Sequence, residues 1–498
     1  MRNTVHLVTY VDRLGGGRIT ELAALLRGPL KGLFGGVHLL PFFFPIDGAD
    51  AGFDPIDHTQ VDERLGQWHD IRALADEVEV MADLIVNHIS SRAPQFQDFL
   101  RNGSDSRYSG LFLTAETVFP EGTAAVDLEV IYRPRPGAPF TTYSLDNGEQ
   151  RLLWTTFTPQ QIDIDVRHPE ATAYLDRILS TFAENHIQSV RLDAVGYAVK
   201  RAGTSCFLLP ETIAFIGQLS RRARGLGIDV LVEVHSHYSK QIEMAKDVRW
   251  VYDFALPPLV LHAFAFRTAK YLRHWIQIRP ANSVTVLDTH DGIGILDVGP
   301  DRSQGHAPGL IPSEEIEQLI ERIHSNSSGE SRLATGASAS NLDLYQINCT
   351  FYDAMGRDDL RYLLARAIQF FLPGIPQVYY VGLLAGQNDL QLLAETGIGR
   401  DINRHFYSRV ELERALQKPV VRDLVRLIRL RNSHPAFGGH FRAEPGPDDS
   451  VSLRWDQGVE FAHLQIWFEE PRYRIEVSAH GAAEPFIFEC AVRALDDD

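Results

Sequence analysis

Eight short apolar runs rich in β-branched residues recur along this chain, and they limit its fold more than any other feature. They are 5–11 (VHLVTYV), 36–42 (GVHLLPF), 80–88 (VMADLIVNH), 189–195, 229–235 (DVLVEVH), 250–256 (WVYDFAL), 283–290 (SVTVLDTH) and 375–382 (IPQVYYVG). Each is nearly continuous in hydrophobicity, the pattern of parallel strands buried on both faces. Amphipathic stretches of helical period lie between them, such as 19–33, 168–186, 209–226 and 357–372. Strand then helix, eight times over, predicts an α/β fold, a (β/α)8 barrel.

Two intervals are too long to be simple connections. Residues 89–167 and 292–355 predict two inserted subdomains, which divide the barrel into 1–88, 168–291 and 356–435. Insertions of this kind belong on the C-terminal face of a barrel, where active sites lie. Beyond a helical stretch at 409–432, the segments 450–456, 460–468, 471–479 and 485–493 alternate like antiparallel strands. They predict a C-terminal β domain over 436–498.

Composition narrows the partners. The net charge of −17, from 48 basic and 65 acidic residues, argues against nucleic acid or an anionic membrane. No apolar run approaches the roughly 20 residues of a membrane span, and the first residues lack a secretory h-region. Cys206, Cys349 and Cys490 are far apart, so neither a zinc site nor a disulfide framework is expected. These features together predict a reducing, cytoplasmic setting, with Cys206 and Cys349 as packing residues.

The strong polar signals fall at the C-terminal ends of predicted strands. They are Asp83, Asn87 and His88; Arg191 and Asp193; Glu233 and His235; and Asp288, His290 and Asp291. In a barrel these ends converge on one pocket, where charge is costly unless paired or used. Two flanking carboxylates are the machinery of glycosyl transfer. Arg191 shares a strand face with Asp193 and should hold that carboxyl ionised. Glu233, within the apolar run VLVEV, is the expected proton donor. Asp291 is a third carboxylate that could stabilise positive charge on a sugar.

The segments DLIVNH (83–88), VRLDAVGYA (190–198), LVEVH (231–235) and LDTHD (287–291) resemble the four short regions characteristic of the α-amylase family, glycoside hydrolase family 13. Longer blocks resemble the branch of that family that moves glucosyl groups between sucrose and inorganic phosphate. They are GADAGFDPIDHT (48–59), IYRPRPGAPF (131–140), FTPQQIDID (157–165), AGTSCF (202–207), YDFALPP (252–258), ASNLDLYQ (339–346) and GRDINRH (399–405).

The resemblance implies Asp193 as nucleophile, Glu233 as general acid and base, and Asp291 as transition-state stabiliser. It implies that Asp50, His88, Arg191, His290 and Arg400 hold glucosyl hydroxyls, that Phe53 and Phe157 form an apolar platform, and that Gln161 and Tyr197 lie against the sugar. Tyr132, Arg135, Asp343 and Gln346 match an acceptor site alternating between fructose and phosphate, with Val234 and His235 beside it. The implied products are α-D-glucose 1-phosphate and fructose. A homodimer is plausible by the same resemblance, and no cofactor or metal is expected.

Several residues carry plainer readings alone. Phe53 and Phe157 could be core aromatics, Arg135 a solvated loop residue, Asp343 a turn cap and His235 a structural histidine. Relatives acting on sucrose 6′-phosphate, glucosylglycerate or glucosylglycerol, or a family 13 hydrolase or transglucosylase, would share the three carboxylates. A pyridoxal-phosphate phosphorylase would need a Schiff-base lysine in another fold. Of six lysines none sits at a predicted strand end, Lys200 coming nearest.

Overall fold

A computed structural model describes the chain except for residues 49, 124, 134–136, 302–306, 336–345, 479–485 and 492–498. All eight apolar runs form strands: β1 (His6–Thr9), β2 (Gly36–Leu39), β3 (Glu79–Ile85), β4 (Ser189–Asp193), β5 (Asp229–Val232), β6 (Trp250–Asp253), β7 (Ser283–Thr285) and β8 (Ile375–Tyr379). They pair in parallel, in chain order, and β8 closes on β1 through His6 beside Gln377. The expected barrel is therefore present.

Its apolar residues sort into two layers because side chains alternate along each strand. Met81, Leu231, Tyr252, Val284 and Ile375 fill the barrel interior. Val37, Val80, Leu192, Val230 and Val378 face outward into the much larger cluster beneath the helices. The helix Pro169–Glu184 shows how that layer is built. Pro169 starts it, the His168 side chain accepts from the Glu170 amide, and Ala171, Tyr174, Leu175, Ile178, Leu179 and Phe182 form its buried stripe.

Between β3 and that helix, a short strand at Gln161–Asp163 pairs antiparallel with His88–Ser90, and Phe140–Ser144 pairs with Gln150–Trp154. After β7 the chain forms the helices Ser313–Asn326 and Glu330–Thr335 before returning to the barrel. The predicted helix 409–432 is two helices, Arg409–Ala415 and Pro419–Ser433, because Pro419 cannot continue the first but can begin the second.

The C-terminal sheet has five antiparallel strands: β9 (His440–Glu444), β10 (Ser450–Gln457), β11 (Glu460–Trp467), β12 (Arg472–Val477) and β13 (Phe486–Ala491). Leu453, Leu464 and Ile466 are buried, and the Trp455 indole donates to the Phe371 carbonyl at 2.7 Å, tying the sheet to a barrel helix. No helix among the described residues is long and apolar enough to cross a membrane.

Candidate active site

The register of β3, β4 and β5 builds the floor of the site. Arg191 on β4 stands beside Asp83 on β3 and Leu231 on β5. Period-two alternation then puts Asp193 on the same interior face, and Glu233 two residues beyond Leu231. Arg191 Nη1 reaches Asp83 at 2.6 Å and Asp193 at 3.0 Å, while Nη2 reaches Glu233 at 2.6 Å. One buried guanidinium thus serves three carboxylates with its planar fork of donors. The second oxygen of Asp83 lies 3.2 Å from His38 Nε2.

This sharing changes the electrostatics expected of Asp193. The sequence pairs Arg191 with Asp193 alone. In the folded chain burial raises the Asp193 carboxyl well above its ordinary range, and Glu233, Asp83 and Asp291 add to that against the pull of Arg191. The folded site thus favours a proton on Asp193, with Glu233 the strongest of the neighbouring carboxylates acting on it. Asp83 goes the other way: burial alone would raise it, but His38 and Arg191 bring it down to about 2.

Asp291 lies 2.7 Å from Arg400 Nη1 and 4.0 Å from Arg404 Nη2. Against its burial, Arg400, His290, His235 and Arg404 hold it far below the usual carboxylate range. His290 is lowered to about 3, chiefly by burial, and stacks on Phe53 with ring centres 5.0 Å apart. Oxygens of Glu233 and Asp291 and a ring nitrogen of His235 lie within 4.8 Å of one another. Three such groups could ligate an ion, but Arg191 and Arg400 already compensate the two carboxylates, leaving little charge for a divalent ion to match.

These groups open into one cavity. Asp193, Glu233 and Asp291 line it, with Asp50, Phe53, His88, Phe157, Gln161, Tyr197, Val234, His235, His290 and Arg400. Arg191 lies beneath the surface. Tyr132 stands behind the wall, its hydroxyl donating to the His235 carbonyl at 3.4 Å. Gln346 accepts from Arg400 Nη2 at 3.4 Å. Arg135 and Asp343 lie outside the described residues. Asn87 and Asp288 turn out to be supports: Asn87 donates to Asp163, and Asp288 pairs with Arg366 at 2.6 Å.

His88 Nε2 sits 2.9 Å from the Phe53 carbonyl and 3.1 Å from Gln161 Nε2. Burial lowers the His88 pKa, which favours the neutral ring. Phe157 meets His88 and Tyr197 edge-on, at 5.6 and 5.3 Å between ring centres. Phe53 and Phe157 are therefore wall residues of the cavity.

Ala194, Gly196 and Phe207 also line the cavity and were not singled out from the sequence. Ala194 has a left-handed φ of 53°, and its amide donates to Glu233 at 3.2 Å. Phe207 stacks on Tyr132 at 4.1 Å and leans on Tyr197 at 4.7 Å. It is held between Cys206 (φ 53°) and Leu208 (φ 48°), two non-glycine residues in the left-handed region. Such strain is retained where the surroundings fix it and gathers at functional sites. The one sequence signal for Phe207 was its place at the end of AGTSCF.

Lys200 is buried under this wall. Its ammonium lies 2.7 Å from Asp163 and donates to Asn87 Oδ1 at 2.8 Å and to the Tyr197 carbonyl. Oxygens of Asp163, Asn87 and Tyr197 thus gather around the Lys200 ammonium.

Residues 30–250 match the alpha-amylase catalytic-domain family. The chain is 58% identical over 478 residues to the sucrose phosphorylase of Agrobacterium vitis, covering 96% of this chain and 98% of the relative. It is 52% identical over 472 residues to the sucrose phosphorylase of Bifidobacterium adolescentis, covering 95% and 93%. Its fold superposes on the crystal structure of sucrose 6F-phosphate phosphorylase from Thermoanaerobacter thermosaccharolyticum with a TM-score of 0.90 and 37% identity, covering 98% of each chain.

Proposed function

The chain belongs to the α-amylase family, among its sucrose phosphorylases and their relatives, and from that premise we propose that it transfers glucosyl from sucrose to inorganic phosphate with retention. The products are α-D-glucose 1-phosphate and D-fructose. One observation carries the reading at the site: Arg191 holds Asp193 and Glu233 on two nitrogens of one guanidinium, with Asp291 and Arg400 beside them on the same cavity.

In the first step Asp193 attacks the anomeric carbon, and the bond from that carbon to the fructose oxygen breaks. Glu233 donates its proton to that oxygen. Arg191 favours the ionised Asp193 when substrate brings the site to its reacting state, and Asp291, held ionised by Arg400, faces the developing positive charge. In the second step a phosphate oxygen attacks the same carbon, the bond to Asp193 breaks, and Glu233 takes the proton that phosphate releases. Two inversions give net retention. Asp50, His88, His290 and Arg400 hold the glucosyl hydroxyls against the Phe53 and Phe157 platform. Tyr132, Arg135, Val234, His235, Asp343 and Gln346 form the acceptor end, where Arg135 supplies donors to phosphate. The enzyme acts in the cytoplasm and needs no cofactor or metal in this scheme.

The test is purified protein with sucrose and phosphate, following α-D-glucose 1-phosphate, beside a reaction lacking phosphate. Phosphate-dependent product that disappears in Asp193→Ala supports the reading. Free glucose released regardless of phosphate would make the enzyme a hydrolase. No turnover of sucrose would turn the search to sucrose 6′-phosphate, glucosylglycerate and glucosylglycerol.

A further inference from the structure

Asp297 is none of the site candidates that the sequence offered, yet it is wholly buried beside the site. It belongs to a single helical turn, Leu296–Val298, after β7. Its Oδ2 lies 3.2 Å from His235 Nδ1, and its Oδ1 accepts from the Ser236 amide at 3.2 Å and from Gln241 Nε2 at 2.9 Å. The approach depends on Gly294: a Cβ there would stand 2.3 Å from Asp297 Oδ2 and 3.5 Å from His235 Nδ1. Phe254 stacks on the His235 ring at 3.7 Å with an interplanar angle of 16°. The imidazole is fixed in plane and in rotation, with Nε2 3.9 Å from Glu233 Oε1 on the cavity side.

We infer that Asp297 is a positioning residue that holds His235 as an imidazolium at the acceptor end of the cavity, matched to an anionic acceptor. The inference rests on the phosphate-transfer reading above. Carboxylates face this ring from three elements: Asp297 from the turn after β7, Glu233 from its own segment after β5, and Asp291 from the end of the β7 segment. Arg191, the nearby cation on β4, is bound to Glu233, Phe254 is apolar, and Tyr132 presents a hydroxyl to the His235 carbonyl. Burial alone would discharge the ring, but Asp297, Glu233 and Asp291 outweigh it and raise its pKa above the ordinary 6.5. Asp297 is the largest of the three contributions.

The experiment follows the His235 ring carbon in full-length protein labelled with 13C at histidine Cε1, its resonance assigned by its absence in His235→Gln. The wild-type resonance should titrate above the ordinary value and fall by about one unit or more in Asp297→Asn. In kinetics, Asp297→Asn should raise the KM for phosphate about tenfold near pH 7.5, by more than it lowers kcat. The gap should close toward about pH 5.5, where His235 regains its proton. Wild-type His235 titrating at or below its ordinary value overturns the inference without any variant. Equal losses in kcat and KM at every pH also overturn it, since a merely structural role for Asp297 would give that pattern. If wild-type protein makes no sugar phosphate, the functional reading fails, and the resonance titration still decides whether Asp297 charges His235.

Discussion

The Lys200 ammonium lies 2.7 Å from the Asp163 carboxylate, with both side chains almost completely sealed from solvent. Asp163 sits on the short strand that pairs with His88–Ser90, and Lys200 follows the turn after β4. The pair therefore joins the inserted segment to the barrel directly beneath Tyr197 and His88. Lys200→Met should lower stability by about 3–5 kcal/mol, because it leaves a buried carboxylate without its partner. Thermal unfolding would show this as a clear drop in Tm. Adding Asp163→Asn to that variant should recover part of the loss, since the uncompensated charge goes with it. An unchanged Tm in the single variant would mean that Asn87 and Thr156, whose amide and hydroxyl both donate to Asp163, satisfy the carboxylate unaided.

The barrel was legible because parallel strands buried on both faces leave an unbroken apolar trace, and all eight such traces became barrel strands. The polar residues at their ends converge because the barrel has one C-terminal face, although Asn87 and Asp288 serve as supports. What could not be read depends on contacts between strands. Arg191 is two residues from Asp193 in sequence, but only the register reveals Asp83 and Glu233 on the same guanidinium. Phe207 and Asp297 come from connecting segments whose residue types carry no periodicity. Strand β9, HFRAE, was missed because it lies half-exposed at a sheet edge, where alternation is weak.

Asp193 and Asp83 share Arg191 yet should respond oppositely to neutral substitution. A carboxyl whose folded pKa is raised contributes stability below its unfolded value, and that contribution is lost as pH rises through the folded pKa. Asp193 is such a group. Asp193→Asn should therefore raise Tm at pH 7, with the gain vanishing in acid below about pH 4, while glucosyl transfer falls by roughly 10⁴-fold or more. Asp83, with a folded pKa of about 2, contributes stability above its unfolded value and loses it as pH falls toward 2. Asp83→Asn should lower Tm at pH 7 and converge with wild type only in strong acid. Parallel melting curves across pH 2.5–8 check both signs.

Gly196 packs against Phe207 so closely that an added Cβ would lie 2.5 Å from the ring carbon Cε2. Phe207 cannot yield freely, since Tyr132 and Tyr197 hold it on two sides. Gly196→Ala should cost about 1–3 kcal/mol through overpacking. The displaced ring would disturb Tyr132 and Tyr197 rather than the three carboxylates. The KM for phosphate should therefore change more than the rate of fructose release in a single turnover. Rapid-quench measurement of that release, beside steady-state kinetics in phosphate, separates the two. Equal losses in both would show that Phe207 also orders the carboxylates.

Arg191→Lys keeps the charge and removes the geometry. The guanidinium reaches Asp83 and Asp193 through Nη1 and Glu233 through Nη2, all at 3.0 Å or less. An ammonium is a point charge on a flexible stem and cannot span carboxylates on three neighbouring strands in this way. It would settle on the Asp83 side, where His38 already fixes the carboxylate, and leave Asp193 and Glu233 to repel each other across the cavity. Without the pull of the guanidinium the Asp193 carboxyl would hold its proton more tightly, and the ionised nucleophile would be harder to reach. Turnover should fall by about 10²-fold or more, and the acid limb of the kcat/KM profile should move to higher pH. A variant that lost only a few-fold in turnover, with its acid limb unmoved, would show that positive charge alone suffices at this position and that the fork of donors is dispensable.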